Sequence, residues 1–405
     1  MSEAHRSDPV VRPVTADDFE QTLALGLEAF GDLPEGMTRP TAEGFPGPGR
    51  HSWGAFEGGR LLGRAVGREY HSWWHGAEIP TCGVAGVTVA AEERGAGLLD
   101  AIFRPLLAEA MERGEVLSTL YPTAPGVYRR FGYELVGALE TVELPTAELQ
   151  GVRPPIGVRT RRGTLEDVPA IRDLYTAWAQ EQNGPLTRRG VSFTATDQEL
   201  LDDATVLTVA ADEADRVVGY LMWTRGRGYG REGRLTVEDT VAVTVDAHRA
   251  LWRMVATFAP VTPGVRLTTS GADLLRAILP SASWQVVEAR PYMLRLLDVE
   301  AAFSLLRAGA LRGEVAFEVA GDEYCGTDGA YVVRVSPAGV ACQRVDLASS
   351  PERPVFTPGG LALAWSGVQT CANLRMAGLL KGGAGSDVLL DRLLRGRPVH
   401  IRDYF

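Results

Sequence analysis

The chain is almost devoid of lysine. Of its 41 basic residues, Lys381 is the single lysine and the others are arginines. Biased codon usage is the plain explanation; avoidance of self-modification at lysine is the functional one. Cysteine is scarce too. Cys82, Cys325, Cys342 and Cys371 show no C-x-x-C spacing, which argues against a zinc knuckle or a disulfide scaffold and leaves inert thiols as the expectation. No uninterrupted apolar run approaches the ~18 residues that mark a membrane-spanning helix. Residues 1–6 are polar and lack the apolar core of a signal peptide, so a cytoplasmic location is expected. A basic footprint is also missing, for the net charge is −10. That argues against a nucleic-acid partner, while an acidic surface suits cationic partners such as amines.

What is present is ordinary globular material. Hydrophobic residues make up 45% and charged residues 23% of 405 positions, which excludes a disordered or fibrous chain. At roughly 100–200 residues per domain, two to four domains are expected.

Residues 10–145 alternate strand-like and helix-like patterns, the mark of an α/β unit. A strand over 11–14 leads to Thr15, with Asp18 three residues later, a helix-start pattern. Apolar spacing near 3.6 predicts a helix over 19–30. Gly31, Pro34, Gly36, Pro40, Gly44, Pro46, Gly47, Pro48 and Gly49 then force a loop, of the length that often serves as a lid or binding loop. Strands are expected near 52–56, 60–70 and 77–89, a helix over 97–113, a strand over 116–120, a short helix over 126–131 and a strand over 133–142.

A Gly- and Pro-bearing linker at 151–157 precedes a restart. Arg159, Thr164 and Asp167 echo Arg12, Thr15 and Asp18, and Val243-Thr244-Val245 echoes Val87-Thr88-Val89. The two matches lie about 149 and 156 residues apart, which points to an internal duplication. Beyond 298 a helix is expected at 299–306, strands at 313–319, 330–336 and 340–345, and helices near 361–370 and 387–394. His71, Trp73, Trp74 and His75 form a conspicuous run. They are too few for a metal site, so a strand edge or an oligomer contact is expected.

The strongest chemical signal is Val87-Thr88-Val89-Ala90-Ala91-Glu92-Glu93-Arg94-Gly95-Ala96-Gly97-Leu98-Leu99. A β-rich run ends in a glycine-bearing turn, and an amphipathic helix begins. Free amides at a helix N-terminus favour a pyrophosphate, and glycine permits its close approach. The spacing is neither G-x-G-x-x-G nor G-x-x-x-x-G-K-[ST], which disfavours a dinucleotide fold and a P-loop. Alone, the pattern fits a phosphate site and an ordinary turn equally well.

Arg94-Gly95-Ala96-Gly97 after a Val-x-Val strand resembles the acetyl-CoA loop of GNAT-type N-acetyltransferases, R/Q-x-x-G-x-G/A. Leu99 stands at the last small position, a departure typical of the Eis (enhanced intracellular survival) branch. Tyr128-Arg129-Arg130-Phe131-Gly132-Tyr133 is similar to that branch's Y-x-R-F-G-Y block. The resemblance extends over essentially the whole chain. It implies mixed-sheet α/β units: a catalytic GNAT domain over 1–150, a degenerate GNAT-like domain over 151–297 and a sterol-carrier-protein-like domain over 298–405.

The resemblance further implies direct acetyl transfer from acetyl-CoA to primary amines of aminoglycosides, lysine side chains or related polyamines, without a metal. Tyr128 matches the family's general acid; a phenol, with a reference pKa near ~10, is protonated at neutral pH. The carboxylate of Phe405 matches its general base, with Tyr404-Phe405 suited to docking in a pocket. Val87, Thr88 and Val89 would pair with the pantetheine arm, and Arg94, Gly95, Ala96, Gly97 and Leu98 would hold the pyrophosphate. Glu28, Phe30 and Asp403 are the candidate amine contacts, while Tyr121 and Tyr133 are expected to be structural. A homohexamer is expected by family analogy. In the second unit Asp246-Ala247-His248-Arg249-Ala250-Leu251-Trp252 lacks glycine, so no CoA site is expected there. The alternative to the enzyme is a lipid carrier or sensor with a vestigial CoA loop.

Overall fold

The computed structural model describes residues 8–32, 39–203, 206–226, 233–271, 273–279, 283–307, 309–346, 348 and 350–405. Residues 1–6, and Pro34 and Gly36 of the Gly/Pro stretch, lie outside the described residues. The first unit comprises β1 (Val10–Pro13), α1 (Phe19–Phe30), β2 (Arg50–Glu57), β3 (Arg60–Trp74), β4 (Ala77–Val89), α2 (Leu98–Glu112), β5 (Leu117–Leu120), α3 (Pro125–Arg129) and β6 (Glu134–Pro145). The second comprises β7 (Val158–Arg162), α4 (Val168–Ala179), α5 (Asp197–Asp203), β8 (Val206–Asp212), β9 (Val217–Arg225), β10 (Arg234–Ala242), α6 (Val245–Ala256), β11 (Gly264–Thr269), α7 (Leu275–Ile278) and β12 (Gln285–Leu296). The third comprises α8 (Val299–Ser304), β13 (Gly313–Val319), β14 (Gly329–Ser336), β15 (Gly339–Val345), β16 (Val355–Phe356), α9 (Pro358–Trp365), α10 (Cys371–Met376), β17 (Leu380–Lys381) and α11 (Asp387–Leu394).

The duplication is visible as a repeated hydrogen-bond device. Arg12 grips Asp18 with both Nη atoms at 2.7 and 2.8 Å, and the Thr15 amide donates to the same carboxylate at 2.9 Å. In the second unit Arg161, not Arg159, grips Asp167 at 2.8 Å through each Nη, and the Thr164 amide donates at 2.9 Å. The repeated element is therefore Arg, Thr three residues on, and Asp three further. It closes the turn that starts α1 and α4.

Twelve strands form one sheet in the order β1-β2-β3-β4-β5-β12-β6-β11-β10-β9-β8-β7. The order reads as two like halves joined back to back. Each half borrows a strand: β12, from the second unit, sits between β5 and β6 and pairs antiparallel with both. β6 in turn pairs with β11. The first unit's sheet is thus completed by residues that lie far beyond position 150. Alternation along β12 serves two cores, with Met293 facing the cluster around α2, and Tyr292, Leu294 and Leu296 facing the third unit.

The third unit carries a separate five-stranded sheet, β15-β14-β13-β16-β17. Its α9 packs across β6 and β12. The helix expected near 361–370 begins earlier, at Pro358, because the Thr357 hydroxyl caps it by accepting from the Gly360 amide at 3.0 Å. A second helix, α10, and the two-residue strands β16 and β17 are too short for a periodic signal. Arg295 of β12 is fully buried and pairs with Asp322 of the third unit at 2.7 Å. Arg295 also donates to the Phe131 carbonyl, just past α3.

The His71–His75 run is not a free strand edge. β3 continues through it, and residues 183–187 cover its end: the Trp73 amide donates to Pro185 O at 2.8 Å and Gly184 N to Trp73 O at 2.7 Å. Trp74 is wholly buried against Trp365, whose carbonyl lies 2.7 Å from His75 Nε2. Cys82, Cys342 and Cys371 are buried, Cys325 is half-buried, and all four are free thiols. Burial pushes Cys325 up to about 11 and Cys371 to about 12, as inert thiols require. Among the described residues no helix is long and apolar enough to cross a membrane.

Candidate active site

The site begins with a gap in the sheet. β4 and β5 are parallel and pair only over Thr81–Val84 and Leu117–Leu120. β4 runs on to Val89 without a partner on that side. A bulge at Gly86–Val87 shifts its register against β3, where Ala85 faces Val66 but Thr88 faces Arg64. Extended backbone at Val87–Val89 is therefore free on the β5 side to pair with an extended ligand arm.

Eight residues then join β4 to α2. Gly95 and Gly97 adopt φ of +85° and +78°, and a Cβ on either would meet nothing within 4 Å. Glycine is there for its left-handed conformation and leaves an open concavity. No backbone carbonyl accepts from the amides of Gly95, Gly97, Leu98 or Leu99. Those donors, with the positive end of the α2 dipole, form an anion cradle. Val87, Thr88, Val89, Arg94, Gly95, Gly97 and Leu98 line one cleft of about 790 Å³; Ala96 alone of the expected cofactor residues does not. The same cleft is lined by Phe30, Tyr128 and Arg130. Arg130 is held by Asp100 at 2.8 Å.

Tyr128 is placed by a short turn. Pro125 starts α3, and the Val127 amide closes the turn on Ala124 O at 3.0 Å. Gly132, at φ +80°, ends it, and a Cβ there would stand 2.9 Å from Pro358 Cβ. The Tyr128 ring packs against Phe103 and Tyr133. Its hydroxyl makes no hydrogen bond among the described residues, and burial raises its pKa above the ordinary phenol value. It is a protonated donor facing the cleft. Tyr133 is fully buried and bonds Ser118 Oγ at 2.6 Å, while the Tyr121 hydroxyl donates to Asp403 O at 2.5 Å. Both hold structure together.

The C-terminal tail threads between the first two units. The Asn183 amide donates to Pro398 O and the His400 amide to Asn183 O, each at 2.8 Å. Arg402 is buried over Trp178 and donates to Asp239 and to Thr240 O at 2.8 and 2.9 Å. Asp403 pairs with Arg188 at 2.7 Å. The Phe405 ring then seats 5.0 Å from Tyr70 and 5.5 Å from Tyr121, over Gly83 of β4.

The structure distributes the expected amine contacts unequally. Phe30 lies in the wall of the cleft. Glu28 turns to the backbone instead, accepting from the Ala91 amide at 2.9 Å and so pinning the turn after β4. The Asp403 carboxylate is engaged with Arg188, which makes it an anchor of the tail. Sequence reasoning missed Arg50, Arg64 and Arg68, which line a second cavity of about 520 Å³ that shares Phe30 with the cleft. The signal lay in the alternation of Arg64, Val66 and Arg68 along β3, but surface arginines read the same way.

Among the described residues the second unit has no counterpart of this cleft. Two residues, not eight, join β10 to α6. The Thr244 hydroxyl caps α6 by accepting from the Ala247 amide at 3.1 Å. Leu251 and Trp252 are buried core, and Arg402 occupies the backbone at Thr240, beyond the end of the β10–β11 pairing.

Comparison with known proteins agrees with this geometry. Two matches to an acetyltransferase (GNAT) domain cover residues 10–136 and 184–299. An uncharacterized N-acetyltransferase of Streptomyces avermitilis is 27% identical over 416 residues, 96% of this chain and 97% of its own. N-acetyltransferase Eis of Mycobacterium tuberculosis is 30% identical over 255 residues, 59% of this chain and 61% of that protein. Among solved structures, a GCN5-related N-acetyltransferase from Kribbella flavida superposes with a TM-score of 0.83 at 25% identity, covering 100% of both chains. Eis1 from Mycobacterium abscessus shares the fold, with a TM-score of 0.77 at 22% identity over 98% of this chain and 100% of its own. The GNAT acetyltransferases use acetyl-CoA as co-substrate, and an amide cradle at a helix N-terminus suits a pyrophosphate. The chain belongs to the GNAT N-acetyltransferases and is similar to their Eis members.

Proposed function

We propose that the enzyme transfers acetyl directly from acetyl-CoA to a primary amine, with Tyr128 as general acid and the Phe405 carboxylate as general base. The observation that carries this reading is the protonated, unpartnered Tyr128 hydroxyl in the wall of the cleft that holds the Val87–Val89 edge and the Gly95–Gly97 cradle. Seating of the tail against Tyr70 and Tyr121 supports the role of Phe405. An α-carboxyl has a reference pKa near ~3.5 and is ionised at neutral pH.

The step balances simply. The base takes a proton from the ammonium, and the amine nitrogen attacks the acetyl carbonyl carbon. The C–N bond forms, the C–S bond breaks, and the departing sulfur takes the Tyr128 proton. The products are an N-acetylated amine, CoA thiol and one proton released to solvent. As the amide forms, the nitrogen sheds its second proton, and that proton restores the Tyr128 hydroxyl.

CoA release from acetyl-CoA, assayed against aminoglycosides, a lysine peptide, spermidine and a no-amine control, tests the reaction. Release above control with at least one amine is expected. One glycine added after Phe405 is expected to lower kcat by about 100-fold in a folded protein. Full turnover of that variant sinks the terminal base. Calorimetry is expected to give one acetyl-CoA per chain, since the second unit's slot is capped and filled. Two sites per chain would overturn that assignment.

A further inference from the structure

The second cavity is electrostatically incomplete. It lies between α1 and the face of β2–β4, and Phe19, Leu23 and Phe45 give it an apolar side. Side chains alternate along a strand, so Arg64 and Arg68 of β3 face the same way. Arg50 of β2 stands directly opposite Arg68 in the antiparallel register. Like charges so placed repel.

Elsewhere this chain pairs arginines that it buries in part or in full: Arg12 with Asp18, Arg161 with Asp167, Arg295 with Asp322. The half-buried Arg64 and Arg68, and the exposed Arg50 beside them, have no ion pair among the described residues. The Nε atoms of Arg64 and Arg68 and the Ser52 hydroxyl are buried without a hydrogen-bond partner. Among the described residues, Asp32 is the one carboxylate in the wall, and it is exposed and forms no ion pair. Burial, reinforced by the Arg50 charge, lowers the pKa of Arg64. A polycation entering here meets three guanidinium groups. An anion satisfies all three and gains most where water is excluded.

Resting on the amine-acetylation reading, we infer that the acceptor amine carries a carboxylate or a phosphate beside an apolar body, and that Arg50, Arg64 and Arg68 hold this acidic group. The amine then reaches the acetyl group past Phe30, which both cavities share. The pocket thereby selects acid-bearing amines over the polyamines that the family resemblance suggests.

Amines that differ only in charge test this. Phenylalanine is compared with phenylalaninamide, and phosphoethanolamine with ethanolamine; spermidine is the cationic control. The acid-bearing member of at least one pair is expected to show kcat/KM about tenfold or more above its partner. Which pair responds tells carboxylate from phosphate. Arg64→Gln and Arg68→Gln are expected to shrink that gap severalfold, chiefly through KM. Should either variant misfold, calorimetric binding of the acids to the wild-type enzyme without acetyl-CoA stands as the second measurement. CoA release with spermidine or the neutral amines at rates equal to the acids overturns the inference and leaves acetyl transfer standing. Acid binding with no release from any amine overturns acetyl transfer and leaves the anion site standing. Faster release from succinyl-CoA than from acetyl-CoA with neutral amines places the anion on the donor and overturns the inference.

Discussion

Replacing Tyr128 by phenylalanine should lower kcat by about 10²–10⁴-fold, the range for loss of a positioned proton donor. Acetyl-CoA affinity should stay within about twofold, because the hydroxyl is not needed for the ground state. Phenylalanine preserves the ring's packing on Phe103 and Tyr133, so the fold is spared. The wild-type hydroxyl has no partner among the described residues to leave stranded. Stopped-flow or steady-state CoA release, with calorimetry for acetyl-CoA, measures both quantities. Unchanged turnover removes Tyr128 from the acid role. A parallel loss of acetyl-CoA affinity makes it a binding residue.

The second large effect is expected at Asp239, which lies on β10 in the second unit. Its carboxylate is buried and accepts from Arg188 at 2.6 Å, Tyr220 at 2.8 Å and Arg402 at 2.8 Å. Asp239→Asn leaves two guanidinium groups facing each other, with the Asp403 carboxylate paired to Arg188 alone. Breaking a buried pair in this way costs about 3–5 kcal/mol. The tail should loosen with it, since Arg402 and Asp403 are its anchors, and kcat should fall although Asp239 lies outside the cleft. Urea unfolding reads the first effect, and carboxypeptidase sensitivity of the tail reads the second. Wild-type stability and a protected tail in the variant would show that the clamp is dispensable.

The same group has a pH signature. Burial pulls the Asp239 pKa up, and the charges of Arg188 and Arg402 more than reverse this, leaving it below the ordinary carboxylate range. A depressed acid contributes stability that is present above its unfolded pKa, near ~4, and is lost as pH falls toward the folded value. The wild type should therefore lose stability on acidification below that point, and the Asn variant should lose less.

Legibility followed the range of the interactions. α1, β4, β13 and α11 coincide with the expected ranges because period and flanking turns are local. The cleft was readable for the same reason: Gly95 and Gly97 set a local conformation, and strand, turn and helix follow in one run. Arg12, Thr15 and Asp18 also act within one turn, so their repeat survived in the sequence as a recognisable echo. Its true register, with Arg161 rather than Arg159, needed the bidentate contact to Asp167.

The exchange of β6 and β12 left no trace in the residues. Each reads as an ordinary strand, and nothing in 285–296 says that it must pair beside residues 117–120. The arginine cluster was hidden likewise. Arg50, Arg64 and Arg68 resemble solvated charges until strand register sets Arg50 opposite Arg68 and the fold half-buries Arg64 and Arg68. The sequence by itself determined the α/β class, the duplicated plan and the strand, glycine turn and helix that shape the cleft, since each is written in neighbouring residues; the acid role of Tyr128 came only with the family resemblance. The tertiary structure alone decided which strands complete the catalytic sheet, where the tail runs and what charge the acceptor meets. Those depend on contacts between residues distant in sequence, whose side chains acquire their electrostatic meaning only when water is removed around them.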